Sequence, residues 1–242
     1  MHVHAQDRPR LPSIFRRRAA VLATLAGLAA GGCGVDSGSS SRTADAEATA
    51  APADAGPDSP SAAPPVGRGY DSAQFSVPLN VAIDPPLDRD PTIDSPNLLS
   101  FDAEEGDELK VRFLVPTVTY APGTTSPVPV PTDFVTYLHQ QASNGLVLTE
   151  ETKTETDGRS TTVLTATSEP GGSYDGSLGC QSPDTAPADC FGVQPEYVLR
   201  LAVVSQDPGE PPLLVWARHY AGHDVPEFFE AFEAMLQSVR FR

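Results

Sequence analysis

Two histidines, His219 and His223, stand four residues apart near the C-terminal end with Asp224 beside the second, a grouping of metal-ligand types. On a helix that spacing would aim both imidazoles at one ion. Here His219 ends a strand-like run and His223 falls in the following turn, so a surface histidine and a helix-capping aspartate account for the residues without a metal. Ser177, in Asp175-Gly176-Ser177-Leu178-Gly179, invites a nucleophile reading but lacks the strand-turn-helix context that exposes a catalytic serine. The acids Asp102, Glu104, Glu105, Asp107 and Glu108 lack the ligand spacing of a calcium loop and read as a solvated turn. The sequence holds no GxSxG, HExxH, P-loop or dinucleotide glycine motif. No catalytic residue, metal site or cofactor is expected.

The elements that would carry these residues alternate along the chain. Phe75, Val77, Leu79, Val81 and Ile83 recur with period two and predict a strand with one buried face, at a sheet edge because of Pro78. A short strand at Leu98, Leu99, Ser100 and Phe101 and a longer one through Leu109, Val111, Phe113 and Val115 follow, separated by the acidic turn. After a proline-rich loop, Pro131 and Asp133 open a helix of about three turns, with Phe134, Tyr137, Leu138, Gln141 and Ala142 on one face and Asn144-Gly145 as its stop. Asp157-Gly158 joins the β-like runs 146–156 and 160–168, the pairing a type I′ hairpin needs. A long loop, 169–195, carries Ser177. A second hairpin spans 197–204 and 213–220, with Trp216, the single tryptophan, expected in the core against the last helix. That helix starts at a capping pair of Asp224 and Glu227, and Phe228, Phe229, Phe232, Met235, Leu236 and Val239 form its wide apolar face. The expected fold is α+β: an antiparallel sheet of about six strands with two packed helices and a single core over 70–242.

Upstream of that domain the chain changes character. Arg16, Arg17 and Arg18 precede an uncharged apolar run of about a dozen residues, too short to span a bilayer core of about 20 residues, which is the pattern of an export signal. Gly31-Gly32-Cys33 closes the run and resembles the lipobox of bacterial lipoproteins, with Ala30 where that family prefers Leu. The resemblance implies a signal peptide over 1–32 and acylation of Cys33, with export by either the general or the twin-arginine route. Residues 33–67 are rich in Ala, Ser, Pro and Asp and predict a disordered tether with a reach of about 30 Å. Outside the cytoplasm, Cys180 and Cys190 are expected to form a disulfide closing a short loop, since neither a CxxC spacing nor neighbouring histidines point to metal or redox chemistry.

The chain of 242 residues has 16 Lys+Arg and 32 Asp+Glu; five of those basic and one of those acidic residues precede Cys33, leaving 11 against 31 from there on, a net of −20. Such a surface repels nucleic acid, which is excluded as a partner.

The order of elements, the VPTDFVTYL helix start, the DGR turn at Asp157 to Arg159, and the ending FFEAFEAMLQSVRFR after LLVWARHY together resemble the actinobacterial LpqN/LpqT-type lipoproteins, whose domain is related in fold to PsbP. The resemblance implies a non-enzymatic accessory protein of the cell envelope. The functional expectation is an exported lipoprotein on the extracytoplasmic face of the cell membrane, anchored through Cys33. Its domain would bind an envelope protein or a small lipophilic ligand, or act in assembly. The alternative is an envelope hydrolase or metal-dependent enzyme using the 169–195 loop or the pair His219 and His223.

Overall fold

The computed structural model describes residues 68–87, 90–103, 109–169, 174, 176–223 and 225–242, all within one compact unit. The signal segment, Cys33, the tether, the acidic turn at 104–108 and Asp224 lie outside the described residues. Along the described chain run β1 (Arg68–Asp71), β2 (Leu79–Ile83), β3 (Ile93–Ser95), β4 (Leu98–Asp102), β5 (Lys110–Leu114), α1 (Phe134–Gln140), β6 (Leu146–Thr156), β7 (Arg159–Ser168), β8 (Tyr197–Val204), β9 (Leu213–Tyr220), α2 (Pro226–Ser238) and β10 (Arg240–Phe241). The fold is α+β.

Seven strands make one sheet in the order β3-β4-β5-β9-β8-β7-β6, and a second sheet has the order β1-β2-β10. Neighbours pair antiparallel throughout. The expected sheet of about six strands is thus seven, with a separate three-stranded sheet beside it. The short strands β1, β3 and β10 have too few residues to show a period in the sequence. Pro78 was expected to mark an edge; instead β2 is the middle strand of the small sheet, because Pro78 precedes the strand and only its carbonyl is used, accepting from the Arg242 N–H at 3.1 Å.

The local signals of the sequence explain most boundaries. The Asp133 side chain caps α1 by accepting from the Thr136 N–H at 3.0 Å, and after a 3-10 turn over Gln141–Asn144 the chain leaves through Gly145 at φ +91°. Asp157 (φ +48°) and Gly158 (φ +79°) form the two-residue turn of the β6–β7 hairpin. Of the capping pair expected at the last helix, Asp224 lies outside the described residues; α2 begins at Pro226 with Val225 as its N-cap, whose side chain makes no capping hydrogen bond. Proline at the first position tolerates this, since its missing N–H is one of those left without a partner there.

Instead of a single core there are two, one on each face of the seven-stranded sheet. Val111, Phe113, Ala202, Val204, Val215 and Ala217 face α2 and β2, meeting Phe228, Phe232, Met235, Leu236, Leu79, Val81 and Ile83. Leu114, Leu164, Leu199, Leu201, Leu214 and Trp216 face the other way, against Phe134 and Leu138 of α1 and Tyr174, Leu178 and Val193 of the long loop. The central strands β8 and β9 are therefore buried on both sides, which is why they read as near-continuous apolar runs. Trp216 is buried, at 2% exposure, but on the face opposite α2: it alternates with Val215 and Ala217, which are the residues that α2 covers.

Candidate functional site

The long loop is tied to the sheet at several points. Cys180 and Cys190 are joined by a disulfide. Single antiparallel bridges link Val118 to Cys180 and Gly179 to Phe191, and the Thr117 N–H donates to the Cys180 carbonyl at 2.9 Å. A side chain at Gly179 would put its Cβ 2.5 Å from the Cβ of Pro116, so the close approach of the two segments needs glycine there. Phe191, on the far arm of the disulfide, lays its ring 5.4 Å from that of Trp216, centroid to centroid.

Between this loop and the segment around Gly123 to Thr125 lies a cleft of about 410 Å³, within the usual range for small-ligand sites. Tyr120, Thr124, Tyr174, Ser177, Cys190 and Gln194 contribute to its walls. Hydroxyls, an amide and backbone line it; among its described lining residues there is no carboxylate, imidazole, ammonium or guanidinium. Ser177, singled out as a possible nucleophile, sits in this wall but is buried: its Oγ accepts from the Tyr120 N–H at 2.8 Å, and its carbonyl accepts from the Tyr137 hydroxyl at 3.1 Å. Beneath it the Tyr174 hydroxyl and Thr119 Oγ1 are buried without a hydrogen bond of good geometry. The Tyr137 oxygen lies near both, but its proton is committed to Ser177. Burial, with Tyr137 adding to it, pushes the Tyr174 phenol well above its usual pKa, and burial raises Tyr137 as well. Both phenols therefore stay neutral at any ordinary pH.

The histidine pair is not brought together. His219 is buried on the α2 face, its ring 4.8 Å from Phe229, and its Nδ1 is 2.9 Å from the Tyr220 carbonyl, a contact in which the nitrogen must carry the proton. His223 packs edge-on to Tyr220, which stacks on Tyr197 on the other face. Among the described residues no group of three or more His, Cys, Asp or Glu could hold a metal ion.

Two sets of charged residues within the sheet were not anticipated from alternation alone. Arg200, at mid-β8 and buried, donates from Nε to Glu233 of α2 at 2.8 Å and from Nη1 to the Glu150 carbonyl at 3.2 Å and Thr165 Oγ1 at 3.0 Å. It holds the bulge in β6, where Glu150 has φ +53°. On the loop face, Lys110 donates to Asp102 at 2.9 Å, while the guanidinium of Arg112 lies 5.0 Å from the Phe191 ring and that of Arg218 lies 4.3 Å from Tyr197. Burial alone would raise the Asp102 carboxyl; the hydrogen bond and charge of Lys110, with Ser100 and Arg112, outweigh it and hold the pKa below the ordinary value.

No protein-family model matches the sequence, and no curated protein does. Among solved structures, the solution structure of cyanobacterial PsbP (CyanoP) from Synechocystis sp. PCC 6803 is similar with a TM-score of 0.35 and 10% identity, over 68% of this chain and 86% of that one. That neighbour is a PsbP protein, but agreement at this level carries no argument about fold or function. It does not bear on the LpqN/LpqT type.

Proposed function

We propose that this chain is an exported lipoprotein, acylated at Cys33, held on the extracytoplasmic face of the cell membrane, and acting as a non-enzymatic binding or assembly module of the envelope, of the LpqN/LpqT type with a PsbP-like domain. The observation that supports binding over catalysis is the disulfide-tied cleft: it is large enough for a ligand or a partner's side chain, and its described lining is neutral. Ser177 is already an acceptor for a backbone N–H, and His219 packs on Phe229 of α2 while His223, in the turn beyond β9, packs on Tyr220, so neither supports a hydrolase or a metal enzyme. The disulfide fits an oxidising compartment, and the signal-like N-terminus agrees with it.

The test is crosslinking of the native protein in host membranes, followed by mass spectrometry of the captured species, run beside Cys33→Ala. A lipid-modified Cys33 peptide and a stoichiometric partner captured only with the anchored form are the expected outcome. An unmodified Cys33 in the membrane-free fraction would overturn the anchor; turnover of an ester or amide substrate lost in Ser177→Ala would overturn the non-enzymatic reading.

A further inference from the structure

One edge of the seven-stranded sheet is closed by only the three residues of β3, whereas the other is the 11-residue β6. Thr149 to Glu155 of β6 are exposed, and the strand has no neighbour on its outer side among the described residues. The direction of its backbone groups follows from the hairpin. Thr156 faces Arg159 across a two-residue turn, which makes them a hydrogen-bonded pair, and the alternation of antiparallel pairs then assigns Thr154 and Thr152 to β7. Lys153 and Glu155 consequently turn their N–H and C=O groups outward. Ser160, opposite Glu155, agrees: its carbonyl points away from β6 and accepts from the Ser205 N–H at 2.9 Å.

The side chains select a register for a strand pairing with these groups. We propose that β6 is a self-association edge, pairing antiparallel with β6 of a second copy about a two-fold axis at Thr154. In that register Lys153 of each copy faces Glu155 of the other, so both outward pairs exchange two backbone hydrogen bonds and set opposite charges side by side. Thr154 meets Thr154, and Thr152 meets Thr156. Centring the axis on Lys153 or on Glu155 would oppose like charges. Centring it on Thr152 would run the pairing through the bulge at Glu150, where the backbone is not extended. The chosen register leaves Glu151 near Asp157 of the second copy, but each carboxylate already has a partner within its own chain: Glu151 lies 2.7 Å from His139 Nε2, and Asp157 accepts from the Phe241 N–H at 2.8 Å. On the α2 side a cleft of about 220 Å³, between Thr152 and Thr154 and the helix residues Glu233 and Gln237, lies open beside this edge. The added strand's threonines would enter it.

The pairing is short and charge-dependent, so it is expected to be weak in free solution and to weaken with salt. The test uses the full chain purified in detergent, examined by sedimentation over a concentration series and by oxidation of introduced cysteines. Thr154→Cys should give a covalent dimer, because the two residues sit on the axis in a close non-hydrogen-bonded pair. Thr152→Cys should not, since its counterparts are four residues apart in the pairing. Lys153→Glu should weaken self-association about tenfold, and Lys153→Glu with Glu155→Lys should restore it. A chain that is monomeric at every concentration with no Thr154→Cys dimer overturns the proposal. So does a dimer that crosslinks equally at Thr152→Cys, or one indifferent to both charge reversals. Each exchanged residue is exposed, and an unchanged circular dichroism spectrum separates lost pairing from lost folding.

Discussion

The two faces of the seven-stranded sheet are built to different specifications. The face under α2 and β2 is mostly apolar and filled at its centre: the gap beside Ile83, Leu87, Phe228 and Phe232 amounts to only about 20 Å³, and the cleft of about 220 Å³ on this side opens at the β6 edge. The face under α1 and the disulfide loop holds a comparable set of leucines, but it also admits Tyr137, Tyr174, Thr119 and Ser177 and opens into a cleft of about 410 Å³. A helix with a wide apolar stripe can interdigitate with a sheet and leave little void. A loop cannot, because its backbone polar groups need partners, and those partners bring hydroxyls and space with them. Stability is therefore expected to concentrate on the α2 face and binding on the loop face.

The largest effect should come from Phe232→Ala. It removes a fully packed ring from the α2 face and should cost about 3–5 kcal/mol in urea unfolding, with the folded-state emission of Trp216 unchanged, because the tryptophan lies on the other side. A cost under about 1 kcal/mol would show that α2 is not the keystone of that face. Removing the disulfide as Cys180→Ser with Cys190→Ser should cost about 2–3 kcal/mol for a loop of this length. It should also shift Trp216 emission to the red as Phe191 loosens, and an unshifted spectrum would mean the loop is held without the bond.

A matched pair of hydroxyl deletions sharpens the contrast. Ser238, at the end of α2, accepts from the Ala82 N–H at 2.9 Å and donates to the Met235 carbonyl at 2.6 Å, so Ser238→Ala should cost about 1–2 kcal/mol by leaving a half-buried N–H unmet. Tyr174→Phe, on the loop face, removes a buried hydroxyl with no good partner and should be neutral or slightly stabilising, within about 1 kcal/mol. Equal costs for the two would erase the proposed difference between the faces.

The smallest effect is a pH dependence on the α2 side. Burial, together with the hydrogen bond from Tyr70 to Asp94 at 2.9 Å and the charges of Asp94 and Asp90, pushes the Tyr70 phenol up to about 12. Between pH 10 and 12 the unfolded chain has lost this proton and the folded chain keeps it, so the contribution is full below pH 10 and is lost as pH rises through that window. Tyr70→Phe should flatten the alkaline fall in melting temperature; an identical slope would show that the phenol is not linked to folding there.

Which of these features could be read from the residues follows from how local their causes are. The β6–β7 turn, the α1 cap and stop, and the alternation in β2 were all legible, because each is fixed by a few neighbouring residues. The disulfide was legible from two cysteines behind an export-like signal. The cleft was not: Tyr120, Thr124, Tyr174 and Gln194 carry no spacing signal and meet only after the loop is tied down. His219 and His223 look close in sequence yet part because β9 ends at Tyr220: His219 stays on the α2 face, while the turn after the strand carries His223 against Tyr220, whose side chain alternates to the other face.

The sequence by itself determined that strands and helices alternate, where the turns fall, which cysteines pair, and that the chain from Cys33 on is strongly acidic, since propensity, period and charge are properties of short stretches. Only the tertiary structure decided that there are two cores rather than one, that Trp216 faces away from α2, that short segments such as β1 and β10 become strands, and that Arg200 and Glu150 lock the outer edge. Period two says that a residue alternates, but not which face a distant element will cover; that choice is made by the long-range burial of whole faces.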